Sequence, residues 1–223
     1  MRLSIIVPVL NESGGIVACL EALSPLRACG HQVIVVDGGS HDPTLALCRD
    51  RADVVMSSAP GRARQMNAAA ECAEGEVLLF LHADTTLPLR ADRAIAHALS
   101  GGAEWGRFDV RIAGRSPMLP VVAALMNLRS RCTGIATGDQ ALFVRRELFQ
   151  RVGAYPDQPL MEDIELSRRL RAMARPACLR ERVVTSGRRW DAQGAWHTIL
   201  LMWRLRWRYW RGASPEALAE AYR

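Results

Sequence analysis

Glu76-Val77-Leu78-Leu79-Phe80-Leu81-His82-Ala83-Asp84-Thr85 decides the fold class. The run from Val77 to Leu81 is apolar at every position rather than every second one, so it reads as a strand covered on both faces. It then breaks into His82, Asp84 and Thr85. The same pattern occurs twice before it. Leu3 to Val9 is an apolar strand that runs into Leu10-Asn11-Glu12, and Gln32 to Asp37 is another that runs into Gly38-Gly39-Ser40. Helical patterns lie between the strands: Gly14 to Leu23, about Pro43 to Arg51, Arg62 to Glu74 (Ala-rich, stopped by Gly75) and Arg90 to Leu99. A short strand fits Val54 to Met56. Continuous apolar strands separated by helices predict a mostly parallel sheet with helices on both sides. In such sheets ligands bind beyond the carboxyl ends of the strands. Any one polar strand end reads as a turn or helix cap; their coincidence on one rim points to a site.

The second half is less regular. Trp105 to Ile112 and Gln140 to Val144 read as strands. Leu119 to Arg131, Glu147 to Val152, Ile164 to Ala174 and Gly194 to Trp210 read as helices. Ser214-Pro215-Glu216 starts a last helix: a cap, a Pro at the first position, and an acid near the positive end of the dipole. Nothing marks a linker, so one domain over 1–223 is expected, with a first half (1–114), a second half (115–193) and C-terminal helices (194–223).

The chain carries a net charge of +6, and its basic residues are all Arg. Twelve Arg against two acids fall between Arg168 and Arg211, which leaves the rest net acidic and suggests an anionic partner for the C-terminal third. The six cysteines are scattered with no C-x-x-C pair, which argues against a zinc site and fits a reducing, cytoplasmic setting. No signal peptide or spanning helix is expected. The sequence lacks G-x-G-x-x-G after the first strand and any G-x-x-x-x-G-K-[ST], so a dinucleotide oxidoreductase or P-loop enzyme is poorly supported. A nucleotide held without those loops needs other groups. Asp37 can accept from a base N–H or a ribose hydroxyl, and Asp84 is suited to Mg²⁺ or Mn²⁺, which bind through one or two carboxylates plus phosphate oxygens.

Ile5-Ile6-Val7-Pro8-Val9-Leu10-Asn11-Glu12, Val35-Val36-Asp37-Gly38-Gly39-Ser40 and Leu81-His82-Ala83-Asp84-Thr85 together resemble glycosyltransferase family 2, whose fold is the Rossmann-like GT-A fold. The resemblance runs on through Gly61-Arg62-Ala63-Arg64-Gln65-Met66-Asn67, Thr137-Gly138-Asp139-Gln140 and Met161-Glu162-Asp163. It is strongest to a small soluble subgroup that includes transferases labelled radical-SAM/selenodomain-associated. It implies an inverting transfer of sugar from a UDP- or GDP-sugar to an acceptor hydroxyl, with Mn²⁺ or Mg²⁺ on the diphosphate. By the same resemblance, Asp37 contacts the base, with Pro8 and Glu12 shaping its pocket. Arg62, its rival Arg64, and Arg189 serve the phosphates. Asp84 holds metal and donor, and Asp163 is the general base. Gly138, Asp139, Gln140, Glu162 and Trp190 line the acceptor side. Two departures stand out. His82 replaces the first acid of the metal motif, and Ser186-Gly187-Arg188-Arg189-Trp190 has Ser where the Gln-x-x-Arg-Trp motif has Gln. The second, with no spanning helices, argues against a processive polymerase.

The residues alone leave alternatives open. Glu162-Asp163 also suits a helix start, Arg188-Arg189 a solvated turn, and His82 a hydrogen-bonded core position. Trp196, Ile199, Leu200, Trp203, Trp207 and Trp210 recur at helical spacing beside Arg204, Arg208 and Arg211. That pattern fits a peripheral contact with the inner face of a membrane through 194–211, packing on the domain, or a homodimer. The competing functions are a nucleotidyltransferase on a similar fold, which the missing Gly-rich Lys-bearing loop disfavours, and a catalytically inactive sugar-nucleotide-binding or membrane-associated protein. Nucleic-acid binding is not expected, since no recognised module is present.

Overall fold

The computed structural model describes residues 1–222. Its centre is an eight-stranded sheet. The strands are β1 (Leu3–Val9), β2 (Gln32–Asp37), β3 (Val54–Ser57), β4 (Val77–Phe80), β5 (Thr85–Thr86), β6 (Trp105–Ala113), β7 (Phe143–Arg145) and β8 (Ala177–Ser186), in the order β3-β2-β1-β4-β7-β6-β8-β5. The first four in that order are parallel. β7 runs antiparallel to both β4 and β6, β8 is parallel to β6, and β5 is antiparallel to β8. This is the expected α/β class with a mostly parallel sheet.

Alternate residues of each strand enter different cores. Leu3, Ile5, Val7, Val33, Val35, Val77 and Leu79 pack with α1 (Ile16–Ala28), α2 (Thr44–Cys48), α4 (Ala91–Ser100) and α5 (Leu119–Thr133). Ile6, Ile34, Val36, Leu78 and Phe80 pack on the other face with α3 (Arg62–Glu71), α6 (Arg146–Arg151) and α7 (Glu162–Met173). Both faces are covered, which is why these strands show no polar alternation. A third, smaller cluster of Met161, Leu205 and Leu218 fixes α9 (Ala195–Trp210) and α10 (Pro215–Tyr222) against the start of α7. Among the described residues no helix is long and apolar enough to cross a membrane.

Three sequence expectations change. The whole of β8 was unforeseen. Its middle, Arg180-Glu181-Arg182, is charged and exposed, and a register shift opposite Phe108/Asp109 leaves Arg180 and Glu181 out of the ladder. A bulged strand has neither apolar continuity nor a clean period of two. The strand expected from Gln140 begins only at Phe143, because Gly138–Gln140 is a 3-10 turn closed by a capping box between Thr137 and Gln140. Arg188-Arg189-Trp190 is no turn but the opening of a short helix, α8 (Arg188–Gln193).

Candidate active site

The loops after β1 and β2 are stitched into one unit. Asp37 Oδ2 accepts from the N–H groups of Gly39 (3.0 Å) and Ser40 (2.9 Å), and Oδ1 accepts from the Ser40 hydroxyl. Gly39 has φ +97°, a conformation that a side chain would strain. Ser40 Oγ accepts from Asn11 N–H, and Asn11 Oδ1 accepts from His41 N–H. Asp42 receives Ser13 N–H and the Thr44 hydroxyl, and hydrogen bonding from the Ser13 and Thr44 side chains holds its carboxyl well below the usual range. Below this unit Gln65, 3% exposed, donates through Nε2 to the carbonyls of Val9 and Val36, both at 2.8 Å. Gln65→Leu removes this tie between the ends of β1 and β2. We expect it to cost about 1–2 kcal/mol in urea unfolding, and an unchanged midpoint would refute the tie.

A cleft of about 860 Å³ opens at this end of the sheet. Pro8, Glu12, Arg62, Asp84, Gly138, Asp139, Glu162, Asp163, Arg189 and Trp190 all line it, so residues far apart in sequence converge. Asp37, Arg64 and Gln140 do not line it. Asp37 is 4% exposed, and its carboxylate is engaged by its own turn. Arg64 points to solvent and pairs with Asp157 at 2.7 Å. Gln140 is buried, where its Oε1 accepts from Thr137 N–H and its Nε2 donates to Asn127.

One wall carries the acids. Met161, just before α7, has φ +67°, an uncommon conformation for a residue with a side chain. It turns the chain so that Glu162 and Asp163 open the helix in the cleft. Asp163 Oδ2 accepts from Gly138 N–H at 2.9 Å and Oδ1 from its neighbour Ile164 N–H at 2.8 Å. Burial raises the Asp163 carboxyl despite these two bonds. Glu162 is pushed up to about 7, by burial first and then by repulsion from Asp163. Arg62 opens α3 facing them. Desolvation opposes its charge, but Glu162, Asp139 and Asp163 outweigh it and raise its pKa. His82 Nδ1 lies 3.4 Å from Asp139 Oδ1, and its ring sits against Gly138. Burial acts against the Asp139 carboxylate, yet His82 holds it below its ordinary value.

The opposite rim is cationic. The Thr85 hydroxyl reaches Thr185 across β5 and β8 at 3.0 Å, and Ser186 N–H donates to the Asp84 carbonyl at 3.1 Å. This pairing delivers Arg188 to the cleft edge, where its guanidinium lies 3.2 Å from Glu12 Oε2 and 3.7 Å from Asp84 Oδ2. Arg189 turns the other way. It donates to the Tyr222 carbonyl at 2.8 Å and lies over the Tyr222 ring, 3.7 Å from its centroid. Sequence reasoning weighs a phosphate-binding role for Arg188-Arg189-Trp190 but names only Arg189 and Trp190 as site residues. It also missed Tyr222, Arg129 and Arg206, which line the cleft from α10, α5 and α9. No short-range pattern marks those three, because the tertiary fold alone brings them together.

Asp84 is the candidate metal ligand that the motif after β4 brings to the cleft. Among the described residues no group of three or more His, Cys, Asp or Glu could hold an ion. The donor set fits Mg²⁺ or Mn²⁺ only where the ion takes one protein carboxylate and draws its remaining oxygens from a bound diphosphate and water. Asp84 suits that role: it lines the cleft and its side chain is 32% exposed.

The model of the family described as "Glycosyl transferase family 2" matches residues 4–151. A "PGL/p-HBAD biosynthesis glycosyltransferase" of Mycobacterium tuberculosis is 30% identical over 165 residues, covering 68% of this chain and 62% of its own length. The chain thus spans about three-fifths of the curated relatives it matches. Two solved structures share the fold. S. aureus TarS 1–349 in complex with UDP-GlcNAc has a TM-score of 0.66 at 19% identity, over 83% of this chain and 58% of that one. The mannosyltransferase PcManGT from Pyrobaculum calidifontis, in complex with GDP-Man and Mn²⁺, has a TM-score of 0.68 at 22% identity, over 99% of this chain and 68% of that one.

Proposed function

The chain belongs to glycosyl transferase family 2, and from that premise we propose that it moves a sugar from a nucleoside-diphosphate donor to an acceptor, with inversion at the anomeric carbon. One observation carries the reading: a buried Glu162 and a half-buried Asp163 face Arg62 within a single cleft whose far rim bears Asp84, paired there with Arg188. The UDP-GlcNAc and GDP-Man held by the similar structures support the donor class.

The diphosphate is assigned to the space between Arg62 and Arg188. Arg62 opens α3, so the helix N-terminus adds its N–H groups and dipole to the guanidinium charge. Pro8 and Glu12 would border the nucleoside. Asp37 would act mainly by fixing the turn that shapes the base pocket, since three of its bonds already serve that turn. A divalent ion on Asp84 would offset the charge that gathers on the leaving diphosphate. Asp163 is the general base. It takes the proton from the acceptor hydroxyl as that oxygen bonds to the anomeric carbon and the bond to the diphosphate oxygen breaks. Glu162, Asp139 and His82 hold the charge around that proton transfer. A single displacement inverts the anomeric centre.

Thermal shift with UDP-, GDP- and dTDP-sugars plus Mn²⁺ tests the donor assignment, since a ligand that binds only the folded state raises the melting temperature by mass action. One nucleotide class is expected to stabilise the parent, and Asp84→Ala is expected to lose the Mn²⁺-dependent part of that shift. A flat response to all three classes would reject the donor reading. A shift in Asp84→Ala that still depends on Mn²⁺ would reject the metal site.

A further inference from the structure

The acceptor half of the cleft joins two properties that are rarely combined. Its walls from α5 and α9 are apolar, with Val122, Leu125 and Met126 facing Ile199, Met202 and Trp203. Two arginines stand in the same walls, and parts of both are unpartnered: Arg129 Nε and Nη2, and Arg206 Nε, are buried without a hydrogen-bond partner. Buried donors are normally paired, and a desolvated guanidinium without an anion is costly. Burial lowers the Arg129 pKa, against the pull of nearby Asp163. Arg129 is held in place by its helix, because Asn127 of α5 brackets Val110 of β6, donating to its carbonyl and accepting from its N–H.

The same two helices carry an apolar face out of the cleft. On α5, Val121, Leu125 and Leu128 are half exposed at helical spacing. On α9, Trp196, Leu200, Trp203, Trp207 and Trp210 are 59–79% exposed along one stripe. Leu125, Leu128 and Trp203 belong to both the exposed face and the cleft wall, so the two surfaces are continuous. Arg204 and Arg211 are exposed beside the α9 stripe, and Arg211 lies 5.5 Å from the Trp207 ring centroid. Exposed Trp flanked by Arg suits the boundary between headgroups and acyl chains of an anionic bilayer.

We propose that the acceptor is an anionic amphiphile, its phosphate or carboxylate held by Arg129 and Arg206 and its hydrocarbon passing between α5 and α9 into an anionic membrane on which that face rests. The word acceptor rests on the transferase reading above; the binding itself does not.

The full chain is tested with two probes, neither of which needs turnover. Dodecyl phosphate below its micelle concentration is expected to raise the melting temperature, whereas inorganic phosphate and dodecanol at equal concentration are not. Arg129→Gln/Arg206→Gln should weaken dodecyl phosphate about tenfold, the loss of a charge-assisted contact, while keeping vesicle binding. The parent should sediment with phosphatidylglycerol vesicles at low salt and not with phosphatidylcholine alone, and Leu200→Glu/Trp207→Glu should abolish that sedimentation. Equal protection by inorganic phosphate would make this a site for free phosphate. Equal protection by dodecanol would remove the arginines from it. Absence of sedimentation, with a concentration-dependent dimer that Leu200→Glu/Trp207→Glu splits, would assign the face to a second copy of the chain. The nucleotide-sugar shift measured on the same variants separates failure here from failure of the donor reading.

Discussion

Asp163→Asn is expected to lose about 10²- to 10⁴-fold in kcat, the range a positioned general base supplies, while its donor affinity stays near that of the parent. The substitution keeps one of the two accepted bonds. The Asn oxygen can receive Gly138 or Ile164 N–H, which now serve the two carboxylate oxygens. What it removes is the capacity to take a proton. Because the substitution leaves Arg62 and Arg188 in place, the loss should appear in kcat and spare donor binding. Initial rates at saturating donor, together with the donor-induced thermal shift, separate the two quantities. Turnover within a few-fold of the parent would remove Asp163 as the base. Turnover lost together with donor binding would show instead that the variant had damaged the whole cleft.

Glu162→Gln should change how stability depends on pH. The Glu162 carboxyl has an ordinary pKa of 4.5 and is raised to about 7 in the folded chain. A raised acid gives stability that is fully present below the unfolded value and is lost as pH rises through the folded one. Above about pH 8 the parent carries an ionised, 7%-exposed Glu162 beside Asp163, and the linkage cost is about 3 kcal/mol. Gln is nearly isosteric and does not ionise. The variant should therefore be more stable than the parent by about that amount in mildly alkaline buffer, and the advantage should fade as pH falls toward about 4.5. Urea unfolding at a series of pH values measures this directly. A constant difference between the two proteins at every pH would mean that Glu162 has no raised titration in the fold.

The parts of this molecule that could be read in advance share one property: their signal is local. Ile5-Ile6-Val7 and Leu78-Leu79-Phe80 announce a doubly covered strand from composition alone, and the chain then places Glu12 and Asp84 on one rim because parallel strands end together. Glu162 and Asp163 were found through the motif around them, although the left-handed turn at Met161 that aims them has no sequence signature, since Met does not favour it. Asp37 shows the limit of motif reading. The Asp-Gly-Gly-Ser turn is there, but its carboxylate serves that turn and not the cleft. β8 escaped because its bulged middle, Arg180-Glu181-Arg182, is charged and exposed, and without β8 there was no way to see that Arg188 would reach Asp84 and Glu12. Arg129, Arg206 and Tyr222 meet only through α5, α9 and α10, whose mutual placement depends on contacts such as Met161 with Leu205 and Leu218.

The contact between Arg189 and Tyr222 bears on how the protein should be handled. Tyr222 lines the cleft, so a polyhistidine purification handle fused close after it would crowd the ligands used to test it. Its histidines would also compete for the manganese on which the donor assay depends. Met1, by contrast, precedes β1 at the amino end of the parallel strands, away from the cleft, and is 46% exposed. A handle at that end is the arrangement under which binding to nucleotides, metal and vesicles can be measured without interference from the fusion itself.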